Sequence, residues 1–143
     1  MTTENEVREA STRFYAALNA MITGDNGPMA DTWLHDESVS SMHPIGGRET
    51  GWDQVRSAFA GVGGMASGGH VELVDQAIQA AGDMAYETGT ERGHATLAGQ
   101  NVAIEHRVTN VYRRGPGGWK MVHHHTDISP DMLALVARLQ QKS

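Results

Sequence analysis

The segment TNVYRRGPGGWKMVHHHTD, Thr109–Asp127, places two β-prone runs on either side of a short break, Gly115-Pro116-Gly117-Gly118. Aromatic and β-branched residues favour extended chain, and a Gly- and Pro-rich break between two such runs reads as a hairpin turn. The second run carries three consecutive histidines, His123, His124 and His125. Successive side chains of a strand face opposite ways. On regular alternation, His123 and His125 share a face with Trp119, Met121 and Asp127, while His124 shares the other with Val122 and Thr126. One strand therefore does not aim all three imidazoles at one ion.

Outward from this hairpin the chain keeps its β texture. HVELVDQAIQA (70–80), DMAYETGTERGHATL (83–97) and NVAIEHRVTNVYRR (101–114) are separated by the turn-type breaks AGD and AGQ. Before them the pattern is helical. Val7, Ala10, Phe14, Leu18, Met21 and Ile22 recur at helical spacing after Thr3 and Glu6, which fit a capping box. Helices are expected over 3–23, 29–35, 50–60 and 130–140, the last opened by Ser129 and Pro130. A short strand is expected near Val39–His43. The glycine-rich AGVGGMASGGH (60–70) reads as a flexible connector or pocket lid, since it lacks the Lys-Ser/Thr ending of a phosphate-binding loop. Helices first and long neighbouring strands afterwards imply an α+β fold, with a curved antiparallel sheet forming a cone around the N-terminal helices. The mouth of such a cone holds a small molecule.

Composition narrows the function. The chain has 143 residues, long enough for one domain with a real core, 1–143. Its 11 Lys and Arg stand against 17 Asp and Glu, a formal charge of −6, with no clustered basic segment, which argues against nucleic acid as a partner. With no cysteine, thiolate nucleophiles and cysteine-ligated metals are excluded. No apolar stretch is long enough to span a bilayer and the start lacks a signal-peptide pattern, so a cytoplasmic protein without a membrane partner is expected.

The hairpin also carries a resemblance. An aromatic strand, Arg113-Arg114, a Gly turn and Trp119-x-x-Val122-His123-x-His125 are similar to the association domain of calmodulin-dependent kinase II. The stretch MHPIGGRETGWDQVRSAF resembles the mid-chain strand, Gly turn and helix of the same superfamily, the nuclear-transport-factor-2-like (NTF2-like, cystatin-like) proteins. That superfamily includes ketosteroid isomerases and SnoaL-like polyketide cyclases. The resemblance departs from its members at chemistry-bearing positions. Thr109 and Thr126 stand where the kinase domain has pocket arginines, and Thr109 also stands where ketosteroid isomerases place an oxyanion-binding aspartate.

By this resemblance His124, Thr109 and Thr126 line the pocket, and strand parity adds Glu105, Arg107 and Val111. His124 is then the candidate acid–base residue, Arg107 a fixed cation for an anionic or carbonyl oxygen, and Glu105 an orienting carboxylate. The competing reading is a buried ion pair with a hydrogen-bonded histidine. His43, beside Pro44, falls in a region the superfamily uses for its pocket. Tyr15, Trp33, Trp52 and Tyr86 are pocket walls or plain core, and Arg48 and Glu49 are solvated turn charges. His123, His125 and Asp127 offer an alternative metal-ligand set, against scaffold roles for the two histidines. On the same parity Val102, Ile104, Val108 and Tyr112 face outward, which implies a homodimer through the sheet. The expected function is a small-molecule acid–base enzyme (isomerase, cyclase, dehydratase or hydrolase) needing no cofactor. A non-catalytic ligand-binding or oligomerisation domain is the alternative, and a metal-dependent enzyme a third.

Overall fold

The structure is a computed structural model that describes residues 2–141. The first helix, α1 (Thr3–Ile22), starts one residue earlier than the expected cap: Thr2, not Thr3, accepts a hydrogen bond from the Asn5 amide. Its apolar stripe, Val7, Ala10, Phe14, Ala17 and Met21, is buried throughout. Each large side chain on it contributes roughly 1.5–3 kcal/mol over the exposed state. Helix α2 (Gly27–Asp31) is shorter than expected, and β1 (Ser40–His43) and β2 (Gly46–Thr50) form a small hairpin.

Helix α3 spans Trp52–Met65 and β3 runs Ala66–Ala81. The glycine-rich segment is therefore neither connector nor lid. Its first half completes the helix and its second half begins the strand. At Gly63 the helix passes close to Asn26: a Cβ would meet its Oδ1 at 2.1 Å, so that side chain would have to move. The remaining elements are β4 (Met84–Leu97), β5 (Gln100–Gly115), β6 (Gly118–Thr126) and α4 (Pro130–Gln141).

The six strands form one curved, unclosed sheet in the order β2-β1-β6-β5-β4-β3. Pairing is antiparallel as expected, except that β1 runs parallel to β6. The helices cover the inner face, where α1 packs most extensively on β3. None of the helices among the described residues is long and apolar enough to cross a membrane.

One irregularity sets which side chains of β6 look inward. In β6, Met121 pairs with Tyr112 and His123 with Val111, so Val122 is an extra residue. A bulge of this kind breaks the period of two. Trp119, Met121, His124 and Thr126 all end up buried on the inner side, whereas regular alternation had separated the first two from the last two. On β5 the inner residues are Val102, Ile104, His106, Val108, Asn110 and Tyr112. This corrects the parity: the four apolar residues expected to face outward are core. The outward apolar stripe from which pairing through the sheet was inferred is not there.

Close approach of β3 and β4 depends on glycine. Gly93 pairs with Val71, and a Cβ on it would lie 1.9 Å from the His70 carbonyl oxygen. Gly93→Ala is expected to destabilise the protein by roughly 1–3 kcal/mol, an overpacking cost. Urea unfolding should show a lower midpoint at unchanged slope.

Candidate active site

Between the helices and the sheet lies a cavity of about 90 Å³. Leu18, Met21 and Ile22 of α1, Phe59, Val62 and Met65 of α3, and Met132, Leu135, Val136 and Leu139 of α4 form its helical walls. The sheet contributes Val71, Ala95, Leu97 and Ile104. Against this apolar lining stand four titratable side chains, His43, Glu91, His106 and His124, and, among the described residues, no lysine or arginine.

Strand pairing brings the polar groups together. Glu91 of β4 sits opposite His106 of β5, and Glu87 opposite Asn110. Asn110 in turn pairs with His124 of β6, which pairs with Ser41 of β1. Glu87, Asn110, His124 and Ser41 are thus one row of inward side chains across four strands, with Glu91 and His106 in the second inward row along, beyond Gly89 and Val108. Cross-strand neighbours sit about 4.5–5.5 Å apart at Cβ, within reach of each other's polar tips.

The hydrogen bonds are specific. Glu91 accepts from the Tyr15 hydroxyl at 2.9 Å and from His106 Nε2 at 2.7 Å. His124 Nδ1 lies 2.6 Å from Asn110 Oδ1, and its Nε2 lies 4.0 Å from Glu91 Oε2. Behind them Glu87, fully buried, accepts from Asn110 (3.0 Å), Tyr112 (2.8 Å) and Gln76 (2.6 Å). Gln76 reaches Glu87 at a bulge in β3 where Asp75 takes a left-handed φ of 56°. His43 Nε2 is hydrogen-bonded to Ser41 Oγ at 2.9 Å and lies 3.3 Å from Glu49 Oε2. Glu49 is therefore a partner of a site residue rather than a bare turn charge.

Burial dominates the electrostatics. It holds the His124 imidazole at a pKa of about 4 against the pull of Glu91, so the ring is neutral at pH 7. Burial also lowers His43, opposed by Glu49. For Glu91 burial pushes upward, but the His106 hydrogen bond, nearby histidine charge and the Tyr15 hydroxyl outweigh it, leaving a carboxylate. Burial and the Glu91 charge push the Tyr15 hydroxyl up, so it remains a donor. Phe14 and Phe59 rings flank His124, with centroids at 5.2 and 6.1 Å. The assembly presents a neutral imidazole and an ionised carboxylate to a largely apolar space, with the Tyr15 phenol donating to the carboxylate from behind. These are group types that proton transfer requires.

Several expected site residues lie elsewhere. Arg107 is on the outer face, its side chain 83% exposed, paired with Asp127 at 2.8 Å. Glu105 is also outside, paired with Arg92. Thr109 pairs with the outward His125, and Tyr86 is exposed. The bulge and the inner position of Asn110 rather than Thr109 explain these corrections. His43, His124 and Tyr15 do meet around Glu91. Thr126 is buried on the inner face, its hydroxyl without a partner. Trp33 is core, its ring tilted against Phe59 with centroids 5.8 Å apart, and Trp52 stacks on His35 at 4.3 Å, away from the cavity. His123 bonds Ser40 Oγ at 2.7 Å. Its neighbour His125 lies on the same outer side, while Asp127 is engaged by Arg107. Among the described residues no three His, Asp or Glu side chains are grouped to hold a metal ion.

The sequence reading missed Glu87, Glu91 and Asn110. The signal was alternation: Ala85, Glu87, Glu91, Ala95 and Leu97 share one parity on β4, and Asn110 shares that of Val102 and Ile104.

Comparison with known proteins agrees with this fold. Residues 7–129 match the SnoaL-like domain family. Among solved structures, an NTF2-like protein from Streptomyces avermitilis proposed to be a dehydratase is 28% identical. The alignment covers 88% of this chain and 95% of that one, with a TM-score of 0.79. An NTF2-like superfamily protein from Salmonella enterica serovar Typhimurium is 25% identical over 87% of this chain and 89% of its own, TM-score 0.77. A protein from Thiobacillus denitrificans proposed to be a calmodulin-dependent kinase II association domain is 26% identical over 85% and 94%, TM-score 0.67. No curated protein matches the sequence.

Proposed function

We propose, since the chain belongs to the SnoaL-like domain family, that its cavity is the site of an acid–base enzyme acting on a small neutral molecule. The observation that carries this is the neutral His124, whose Nε2 edge lies beside ionised Glu91 in the wall of an apolar cavity. A buried carboxylate with no lysine or arginine lining its cavity among the described residues repels an anionic ligand, so the anion grip expected from Arg107 is replaced by selection for neutral compounds. About 90 Å³ suits a compact ring or short branched chain.

In this reading His124 Nε2 removes a proton from a carbon beside a carbonyl. The imidazolium that forms is stabilised by Glu91 across the short gap. The same proton then returns to another carbon, giving isomerisation, or to a departing hydroxyl, giving water and an alkene. The Streptomyces protein's proposed dehydratase activity favours the second outcome. Tyr15 and His106 hold Glu91 in place and ionised throughout.

The test is a panel of neutral six-carbon cyclic ketones and β-hydroxyketones incubated with the protein in D2O and followed by proton NMR. Protein-dependent α-deuteration or loss of water is expected. Binding seen by thermal shift with neither reaction overturns the catalytic reading in favour of a ligand-binding domain, which the apolar lining also suits.

A further inference from the structure

We infer that Glu87 and Asn110, neither of which lines the cavity, are positioning residues that lock His124 in its Nδ1–H tautomer and so reserve Nε2 for the cavity side. The functional weight of this inference rests on the acid–base reading of the cavity; its structural content does not.

The argument is a count of donors and acceptors. The Asn110 amide has three neighbours: His124 Nδ1 at 2.6 Å, Tyr15 Oη at 3.0 Å and Glu87 Oε1 at 3.0 Å. An amide can be turned by 180° without changing its shape, so its direction must be derived from the partners. Glu87 settles it. Its carboxylate already receives hydrogens from Tyr112 and Gln76 and faces Asn110 as an acceptor. Turning the amide over would set Asn110 Oδ1 against Glu87 Oε1, two acceptors in a site closed to water.

Tyr15 gives the same answer independently. A phenol has one hydrogen to donate, and that hydrogen goes to Glu91. Toward Asn110 the phenol oxygen is therefore an acceptor, and Asn110 must present its NH2 there too. Both amide hydrogens are now assigned. What remains for His124 is Oδ1, an acceptor, and an acceptor 2.6 Å from Nδ1 requires that nitrogen to carry the hydrogen. In a neutral imidazole the second nitrogen is then bare.

This gives the buried Glu87 a reason to be there. A carboxylate at 0% exposure is expensive unless its hydrogen bonds are complete. An apolar side chain in its place would fill the space but leave the Asn110 amide held by Tyr15 alone, so that it turns whenever the phenol swings its hydrogen from Glu91 to Asn110 Oδ1. With the amide turned, its NH2 faces Nδ1 and the hydrogen moves to Nε2, which removes the base from the cavity side. Because Glu87, Asn110 and His124 are successive neighbours across β4, β5 and β6, the orientation is fixed by backbone pairing rather than by flexible loops.

The experiment is long-range proton–nitrogen correlation NMR on protein labelled with 15N at histidine, with His124 assigned by its absence in His124→Gln. At pH 7 the wild-type His124 should show a protonated Nδ1 and an unprotonated Nε2. Glu87→Leu should bring in a share of the opposite tautomer beside the original one, and Asn110→Asp, protonated on the oxygen that faces Glu87, keeps an acceptor against Nδ1 and should retain the original tautomer alone. A wild-type Nε2–H signal overturns the inference whatever the variants do. An unchanged tautomer in folded Glu87→Leu overturns the part assigned to Glu87. Neither readout depends on turnover. A wild-type Nδ1–H signal without any reaction would sink the catalytic reading alone, and reaction with an Nε2–H signal would sink this inference alone.

Discussion

Replacing His124 by glutamine is expected to lower turnover of any accepted ketone or hydroxyketone by roughly 100- to 10,000-fold, the usual contribution of one positioned general base. Glutamine keeps similar reach and can still offer an N–H to Asn110 Oδ1, so the row across β4, β5 and β6 survives. It has no basic nitrogen. The loss should therefore appear in kcat with KM little changed, and the circular dichroism spectrum should match the wild type. Retention of wild-type kcat would remove His124 from the chemistry. Loss of folded structure in the variant would instead assign it to the core.

Acidification is expected to remove about 3 kcal/mol of stability through the same residue. In the unfolded chain His124 titrates near 6.5, and in the fold burial holds it at about 4. Between those values the unfolded state binds the proton and the folded state does not, so stability rises with pH there and is lost as pH falls from 6.5 to 4. The gap corresponds to about 3 kcal/mol, undiminished by solvent because the ring is buried. The depressed carboxyl of Glu91 acts in the same direction, its contribution being present above its unfolded pKa and lost as pH falls through the folded one. Buried His43 adds to the loss as well. Urea unfolding at a series of pH values should show this slope, and His124→Gln should flatten it. Equal slopes in the two proteins would mean that His124 is not held neutral.

The sequence carried the helices and the long strands because their signals are local: the heptad-like stripe of α1, the turn residues at 81–83, 98–100 and 115–118. It carried the glycine-rich 60–70 poorly, since glycine there serves close packing against Asn26 and not chain flexibility. The site was half legible. His124 lies inside as the resemblance implied, and His43 is near it with ring centroids 6.2 Å apart. Arg107 and Glu105 were misplaced because pocket parity was transferred from Thr109, while the apolar alternation of Val102, Ile104, Val108 and Tyr112 pointed the other way and was overruled. That alternation was the physical signal, for burying four large apolar side chains outweighs any placement of surface ion pairs. Glu87 and Glu91 were passed over as ordinary strand charges. Their parity with Ala85, Ala95 and Leu97 marked them as buried, and a buried carboxylate requires partners.

The extra residue in β6 also decides which of the three histidines faces inward. Val122 is left over in the ladder, and the strand beyond it is thereby offset by one position from the strand before it. Without that offset His123 would stand opposite Asn110, and His124 would turn to the outer face. Chemically the three side chains are the same group, so their difference in environment is purely positional: one backbone irregularity separates a buried, neutral imidazole from two that lie on the outer side.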